Sequence, residues 1–249
     1  MAPKIGIPIP TSFDAAYNRL NYPAYFDAVR SSGGEPIELP FSLDSKGLRD
    51  VIAGLSGILL PGSPADVEPE LYAQVRIPET APADPAREQL DRTLLEEAYR
   101  LKMPIFGICF GMQFLNVFCG GTLVQDLITM PLNHSAGRAV AIAHPIVVPS
   151  ASLLAEMLDP AEATRSEDTL RLPINSSHHQ AVGIAGSGLV VSARSPEDGV
   201  VEAVEGAGSA AGGHFILGVQ WHPERSMELS GSSRSIFSRF IAEAANWQR

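Results

Sequence analysis

Cysteine is scarce in this chain: Cys109 and Cys119 are the only two among 249 residues. Two thiols offer no disulfide framework, and they fit a reducing compartment. Long apolar runs are missing as well. None approaches the roughly 18 residues that a membrane span needs. The first residues, Met-Ala-Pro-Lys-Ile, lack the basic-then-apolar order of a secretory signal. The expected location is the cytoplasm, with no membrane partner. Positive charge is also short, with 18 Lys and Arg against 28 Asp and Glu and a net charge of −10. The basic residues are scattered, without a cluster or interleaved aromatics, so no nucleic-acid partner is expected. There are no repeats. What is present is 45% apolar and 18% charged sequence, enough to bury a full core in a single domain spanning 1–249.

In chain order, Lys4 to Ile9 reads as a strand, Tyr17 to Arg30 as a helix ended by Ser31-Ser-Gly-Gly34, and Pro36 to Leu39 as a second strand. Lys46 to Ala53 reads as a short helix and Gly57 to Leu60 as a third strand. Strand and helix alternating at this spacing imply parallel pairing with right-handed crossovers. Pro61-Gly-Ser-Pro64 follows the third strand. Such a stretch is an ordinary turn, or a place where backbone amides approach a ligand closely. Arg87 to Leu101 is an amphipathic helix with Leu90, Leu94, Leu95 and Ala98 on one face.

The second half alternates apolar and polar residues, as antiparallel or edge strands do. Strands are expected at Leu123 to Asp126, Ala139 to Val148, Leu170 to Ile174, Leu189 to Ala193, Val200 to Val204 and Phe215 to Val219. A short helix is expected at Ser152 to Leu158, a Gly/Ala/Ser hairpin loop at Gly206 to Gly213, and a final helix at about Ser233 to Trp247.

Chemistry concentrates at Met103-Pro-Ile-Phe-Gly-Ile-Cys-Phe-Gly-Met-Gln113. Ile105 to Ile108 is a buried strand, and a helix begins near Gly111. Gly107-Ile-Cys-Phe-Gly111 between them is the cysteine form of a nucleophile elbow. It sets Cys109 at the carboxyl end of a strand over a helix N-terminus, whose dipole and free amides favour a thiolate and an oxyanion. The elbow alone leaves two readings open, a nucleophile or a small apolar core residue.

A nucleophilic thiol needs a base, and the base needs an orienting group. Of six histidines, His222 alone follows an apolar strand, Phe215 to Val219, in a setting like that of Cys109. Glu224 lies two residues on, across Pro223. In an extended segment, residues two apart share a side. The carboxylate then holds one ring nitrogen while the other faces the thiol.

These stretches resemble the class I glutamine amidotransferase superfamily, through Gly-Ile-Cys-Phe-Gly-Met-Gln at 107–113 and Val-Gln-Trp-His-Pro-Glu at 219–224. The runs Asn116-Val-Phe-Cys-Gly-Gly-Thr-Leu-Val-Gln-Asp-Leu127, Pro61 to Pro69, Asn175-Ser-Ser-His-His-Gln180 and Asp84-Pro-Ala-Arg87 resemble its γ-glutamyl-γ-aminobutyrate hydrolase branch, peptidase family C26. The resemblance implies an α/β fold: a flavodoxin-like three-layer α/β/α sandwich, mostly parallel in its central sheet, with a smaller antiparallel region in the second half. It also implies a Cys109, His222, Glu224 triad acting on a small-molecule γ-glutamyl amide through a glutamyl thioester, without a cofactor. Backbone amides of Gly62 or Ser63 and of Phe110 are the oxyanion candidates. Gln113 and the Ser177-His178-His179-Gln180 turn are the candidates for holding the glutamyl group. Phe110 departs from the branch, which usually has Arg there. An Arg at that place would bear on substrate preference.

The other readings are a glutaminase subunit feeding ammonia to a synthetase, a γ-glutamyl peptidase, and a degenerate binding module. The adjacent histidines have no partners in a recognisable zinc spacing, so no metal is expected. His134, His144 and His214 are read as structural or surface residues. Cys119 is read as core, about 15 Å of helical rise from Cys109. A homodimer is left open.

Overall fold

The computed structural model describes residues 1–211 and 213–248. The first half alternates as its pattern requires. Strand β1 (Lys4–Pro8) leads to α1 (Ala15–Ser31), β2 (Glu35–Leu39), α2 (Ser45–Ile52), β3 (Gly57–Leu60), α3 (Pro85–Leu101), β4 (Ile105–Ile108) and α4 (Phe110–Phe118). Local chemistry sets the helix starts. The Asp14 side chain accepts from the Tyr17 amide, and Asp84 accepts from the Arg87 amide with Pro85 in the first turn. The second half contributes β5 (Leu123–Val124), β6 (His144–Pro149), β7 (Thr164–Ser166), β8 (Thr169–Ile174), β9 (Ala181–Val182), β10 (Leu189–Arg194), β11 (Val201–Gly206), β12 (Ile216–Val219) and a last helix, α5 (Gly231–Asn246).

All strands join one mixed sheet in the order β2-β1-β3-β4-β12-β11-β10-β6-β8-β7, with β5 and β9 attached beside β11. Pairing is parallel from β2 through β12 and antiparallel beyond. Two cores make the three layers. On one face, Ile5, Ile7, Leu59, Phe106, Leu217 and Val219 pack with Tyr25 of α1 and Phe237 and Phe240 of α5. On the other, Ile58, Leu60, Ile105 and Ile216 pack with Leu94 of α3 and Phe114 and Leu115 of α4. Successive residues of β3, β4 and β12 therefore feed opposite cores, as a sheet covered on both faces demands.

The boundaries differ from the sequence reading in several places. The strand expected from Ala139 begins at His144, and the helix expected at Ser152 to Leu158 is a 3₁₀ turn, Leu154–Met157. Strands β7 and β9 were not expected. β7 is exposed throughout and β9 has two residues, so neither carries a usable periodicity. The expected loop from Gly206 to Gly213 joins β11 to β12 and contains a 3₁₀ turn, Ser209–Ala211; Gly212 lies outside the described residues. Among the described residues, no helix is long and apolar enough to cross a membrane.

Candidate active site

Three adjacent parallel strands, β3, β4 and β12, end at one edge of the sheet. Pro61-Gly-Ser63 follows β3, Cys109 follows β4, and His222 lies three residues beyond β12. The Cys109 amide donates to Val219 O at 2.8 Å, which fastens the elbow to the strand that leads to His222.

The elbow is strained and tightly built. Cys109 has φ 52° and ψ −109°, a conformation that costs a non-glycine residue on the order of 1–3 kcal/mol. A Cβ on Gly107 would meet Gly111 C at 2.8 Å, and one on Gly111 would meet Leu60 O at 2.1 Å. Backbone meets backbone at both positions, so neither neighbour can rotate away. The two glycines let strand, turn and helix cross at that distance.

The structure brings the three predicted residues together. Cys109, His222 and Gly62 face each other: a Cβ on Gly62 would stand 3.0 Å from His222 Cε1 and 3.6 Å from Cys109 Cβ. His222 Nδ1 lies 2.8 Å from Glu224 Oε1, and both side chains are buried. Asn175 holds the histidine backbone from both sides, accepting from the His222 amide and donating to its carbonyl, each at 2.9 Å. Gln220 Nε2 reaches Cys109 Sγ at 3.5 Å and accepts at Oε1 from Gln113.

Burial sets the protonation of this group. It pushes the Cys109 thiol up to about 12, against the pull of Arg225 and the Phe110 amide. This corrects the expectation that the helix terminus favours a thiolate: desolvation outweighs a few dipoles. Burial also holds His222 below the ordinary imidazole range, although Glu224 opposes it. Glu224 itself is held low: burial would raise it, but His222 and Arg225 together prevail. The resting arrangement is a neutral thiol, a neutral imidazole and a carboxylate.

A cleft of about 270 Å³ opens over Cys109 and His222. Of the residues expected to contact a ligand, Ser63, Gln113, Ser177, His178, His179 and Gln180 all line it. Their roles separate on inspection. Gly62 donates its amide to the Tyr25 hydroxyl at 3.1 Å, and the Phe110 amide is directed at the Cys109 sulfur. Gln113 Nε2 donates to Gln180 O and Gln220 Oε1, so only its oxygen is left for a ligand. Both ring nitrogens of His178 are turned away from the cleft, one to Gln180 O and one toward Glu202. His179 lies between Asp66 at 3.0 Å and Asp126 at 3.4 Å, and the bond to Asp66 raises its pKa above the ordinary imidazole range. Gln180 Oε1 is buried with no donor.

Tyr17, Asp66 and Arg225 also line the cleft and were missed by the sequence reading. Asp66 lies in the Pro61 to Pro69 run and Arg225 directly follows Glu224, so each was adjacent to a recognised signal.

The departure at Phe110 is resolved by packing. Its side chain is buried, stacks on Phe114, lies 4.9 Å from the Arg87 guanidinium and is not among the residues that line the cleft. Arg87 in turn donates to Asp91, to Pro10 O and to Pro61 O, and so anchors the loop carrying Gly62 and Ser63.

His134 and His144 were expected to be structural or surface residues. Both are buried, and with His178 and Glu202 they form a compact cluster beside the cleft, all four donor atoms within 4.8 Å of one another. Four separate stretches of chain supply these donors, so no local spacing announced them. His214 is half-buried against Met103 O, and Cys119 is partly buried against the Tyr99 hydroxyl, as structural readings require.

The peptidase C26 family profile matches residues 8–224. The chain belongs to that family. One relative, the gamma-glutamyl-gamma-aminobutyrate hydrolase PuuD of Escherichia coli, is 35% identical over 226 residues, covering 87% of this chain and 83% of the relative. The protein NtpR of Enterococcus hirae is 32% identical over 225 residues, covering 88% and 87%. Among solved structures, a glutamine amido transferase from Methylobacillus flagellatus superposes with a TM-score of 0.61 at 17% identity, covering 100% of this chain and 96% of the other. The glutaminase domain of a Trypanosoma brucei CTPS gives 0.60 at 16%, with the same coverage. At these identities the two structures speak for the fold, a class I glutamine amidotransferase sandwich.

Proposed function

We propose that this chain hydrolyses γ-glutamyl amides, with Cys109 as nucleophile, His222 as general base and acid, and Glu224 as the group that orients His222. The observation that carries the reading is the convergence of the elbow thiol and the His222–Glu224 pair at the ends of β4 and β12. The relatives named as γ-glutamyl-γ-aminobutyrate hydrolases support the substrate class.

His222 takes the Cys109 proton as sulfur attacks the δ-carbonyl of the glutamyl group. Glu224 stabilises the imidazolium that forms. Ser63 N–H and Phe110 N–H receive the oxyanion, each donor contributing about 3 kcal/mol in the transition state. His222 then protonates the departing amine, leaving a γ-glutamyl thioester. Water, deprotonated by His222, attacks that thioester; glutamate leaves and the thiol is restored. The glutamyl end carries an ammonium and a carboxylate, and the cleft offers both counter-charges. Asp66 and the Gln113 and Gln180 oxygens suit the ammonium, and Arg225 and cationic His179 suit the carboxylate.

The test is a panel of γ-glutamyl amines, γ-glutamyl peptides and free glutamine, scored by kcat/KM with the purified chain alone. The expected result is turnover of γ-glutamyl amines far above that of glutamine, with a covalent adduct at Cys109 when an electrophilic γ-glutamyl analogue is supplied. Glutamine hydrolysis appearing only with a synthetase present would replace the reading with a glutaminase subunit. Preference for γ-glutamyl peptides would make the chain a peptidase. An unaltered rate in Cys109→Ala would refute the mechanism.

A further inference from the structure

The cluster behind the cleft wall has a geometry that hydrogen bonding among its own members does not explain. His134 Nδ1, His144 Nε2, His178 Nε2 and both Glu202 oxygens are buried, and none has a hydrogen-bond partner. His134 Nδ1 stands 3.1 Å from Glu202 Oε1, yet the pair is not aligned as N–H···O. The outer ring nitrogens, by contrast, all face acceptors. His134 Nε2 lies 2.9 Å from Asp198 Oδ2, His178 Nδ1 2.9 Å from Gln180 O, and His144 Nδ1 3.2 Å from Pro145 O. An acceptor on the outer nitrogen draws the proton there in a neutral imidazole. Three inner lone pairs and a carboxylate then converge on one point. Left alone, such a group is strongly unfavourable.

We propose that His134, His144, His178 and Glu202 form a closed, four-coordinate structural site for a divalent cation of the zinc class. Zinc–nitrogen and zinc–oxygen bonds of about 2.0–2.2 Å in a tetrahedron require ligand atoms about 3.3–3.5 Å apart. Glu202 Oε1 lies 3.1, 3.6 and 3.5 Å from the nitrogens of His134, His144 and His178. Imidazole and carboxylate donors suit zinc, and near-complete burial of all four residues suits a site with no position left for water or substrate. Asp198 behind His134 and the backbone carbonyls behind His144 and His178 are the outer partners that orient metal-binding histidines. The two charges of the cation are balanced by the Glu202 and Asp198 carboxylates.

The site ties together elements that are distant in sequence. His144 is on β6, Glu202 is on β11, and His134 and His178 belong to loops that are joined to each other. His134 O accepts from the His178 amide at 3.0 Å and the Ser176 hydroxyl at 2.7 Å. The same turn carries Asn175, which holds His222, and Gln180, which lines the cleft. A cation here fixes the cleft wall and takes no part in bond breaking.

The decisive measurement is the metal content of the untagged chain purified without chelator, by inductively coupled plasma mass spectrometry. One equivalent of zinc per chain is expected. It should survive dialysis and persist in Cys109→Ser, which removes the thiol of the nearby Cys109–His222 group. Stripping with dipicolinate should lower Tm, and zinc alone should restore it. Cobalt should give the intense visible absorption of a tetrahedral ion. Glu202→Gln and His144→Ala should lose the metal, and Glu202→Gln keeps the side-chain shape if the alanine variant fails to fold. A wild-type chain that stays nearly metal-free after incubation with zinc would overturn the proposal. So would metal that disappears with Cys109→Ser.

Discussion

The resting protonation of Cys109 separates two ways of building such a site, and it is open to direct measurement. The thiol is pushed up to about 12 by burial. An unperturbed cysteine titrates near 8.5, a difference of about 3.5 units, so its thiolate fraction at neutral pH is on the order of 3,000-fold below that of free cysteine. Part of this is offset because a more basic thiolate is a better nucleophile. With a Brønsted slope of about 0.4–0.5, that difference returns roughly 25- to 55-fold. Cys109 should therefore exchange with a small neutral disulfide on the order of 100-fold more slowly than free cysteine, before any further loss to restricted access.

The assay is thiopyridone release from dithiodipyridine near pH 7, in a Cys119→Ser background so that one thiol reports. The rate should climb with pH across the whole accessible alkaline range, because deprotonation is not complete there. An electrophilic γ-glutamyl analogue should instead label Cys109 rapidly, since its carbonyl is held at the sulfur and His222 removes the proton during attack. Disulfide exchange as fast as that of free cysteine, flat from mildly acid to mildly alkaline pH, would refute the reasoning. That profile belongs to a stored thiolate–imidazolium pair.

Other consequences are equally direct. Glu224→Gln keeps the shape beside His222 Nδ1 but lets an amide N–H face it, favouring the wrong tautomer; by analogy with other triads kcat should fall by about 10⁴ with little change in KM. His222 must be neutral to accept the thiol proton, so kcat/KM should rise with pH through an apparent pKa below the ordinary imidazole value, because burial depresses it; a limb above the ordinary value would contradict this. Arg87→Met strands Asp91 in a fully buried site, costing about 3–5 kcal/mol, or on the order of 10 °C in Tm; Arg87→Met with Asp91→Leu should recover most of it. Gly111→Ala drives a methyl group into Leu60 O, so circular dichroism should retain the fold while kcat/KM falls at least tenfold; full activity would show that the elbow yields.

Sequence and structure agree where one segment carries the whole signal. The strand, glycine pair and helix around Cys109 were legible because a sharp strand-to-helix turn demands those glycines locally, at backbone separations the structure now gives. His222 and Glu224 were legible for a similar reason: a proline-stiffened pair after an apolar strand has one plausible geometry. The cleft wall was only half legible. His178 and His179 are adjacent, but backbone direction turns the first into the protein and leaves the second between two carboxylates, and no periodicity separates them. The tetrad of His134, His144, His178 and Glu202 was invisible. Its members come from two loops and two strands, and only the pairing of β6, β10 and β11 brings them within reach. The loop after β3 was expected to offer an amide of Gly62 or Ser63, and nothing near Gly62 in sequence announces the Tyr25 hydroxyl that its amide meets across the fold.

These features together explain why a hydrolase can keep a buried, neutral thiol. Three strand ends carry the groups assigned to the proposed reaction, but strand ends alone would leave a thiol, an imidazole and a carboxylate free to drift in loops. Each is instead pinned from outside the cleft. Arg87 holds Pro61 O and lies over Phe110, fixing the loop after β3 and the first residue of α4 in one contact set. Asn175 holds both backbone polar groups of His222, and the Cys109 amide is tied to Val219. Such positioning lets proton transfer and attack coincide, so the site does not depend on a pre-formed thiolate. The cost of desolvating the thiol is then useful. In the proposed mechanism it keeps Cys109 inert toward adventitious electrophiles until a bound γ-glutamyl carbonyl and two backbone donors are in place to receive the charge.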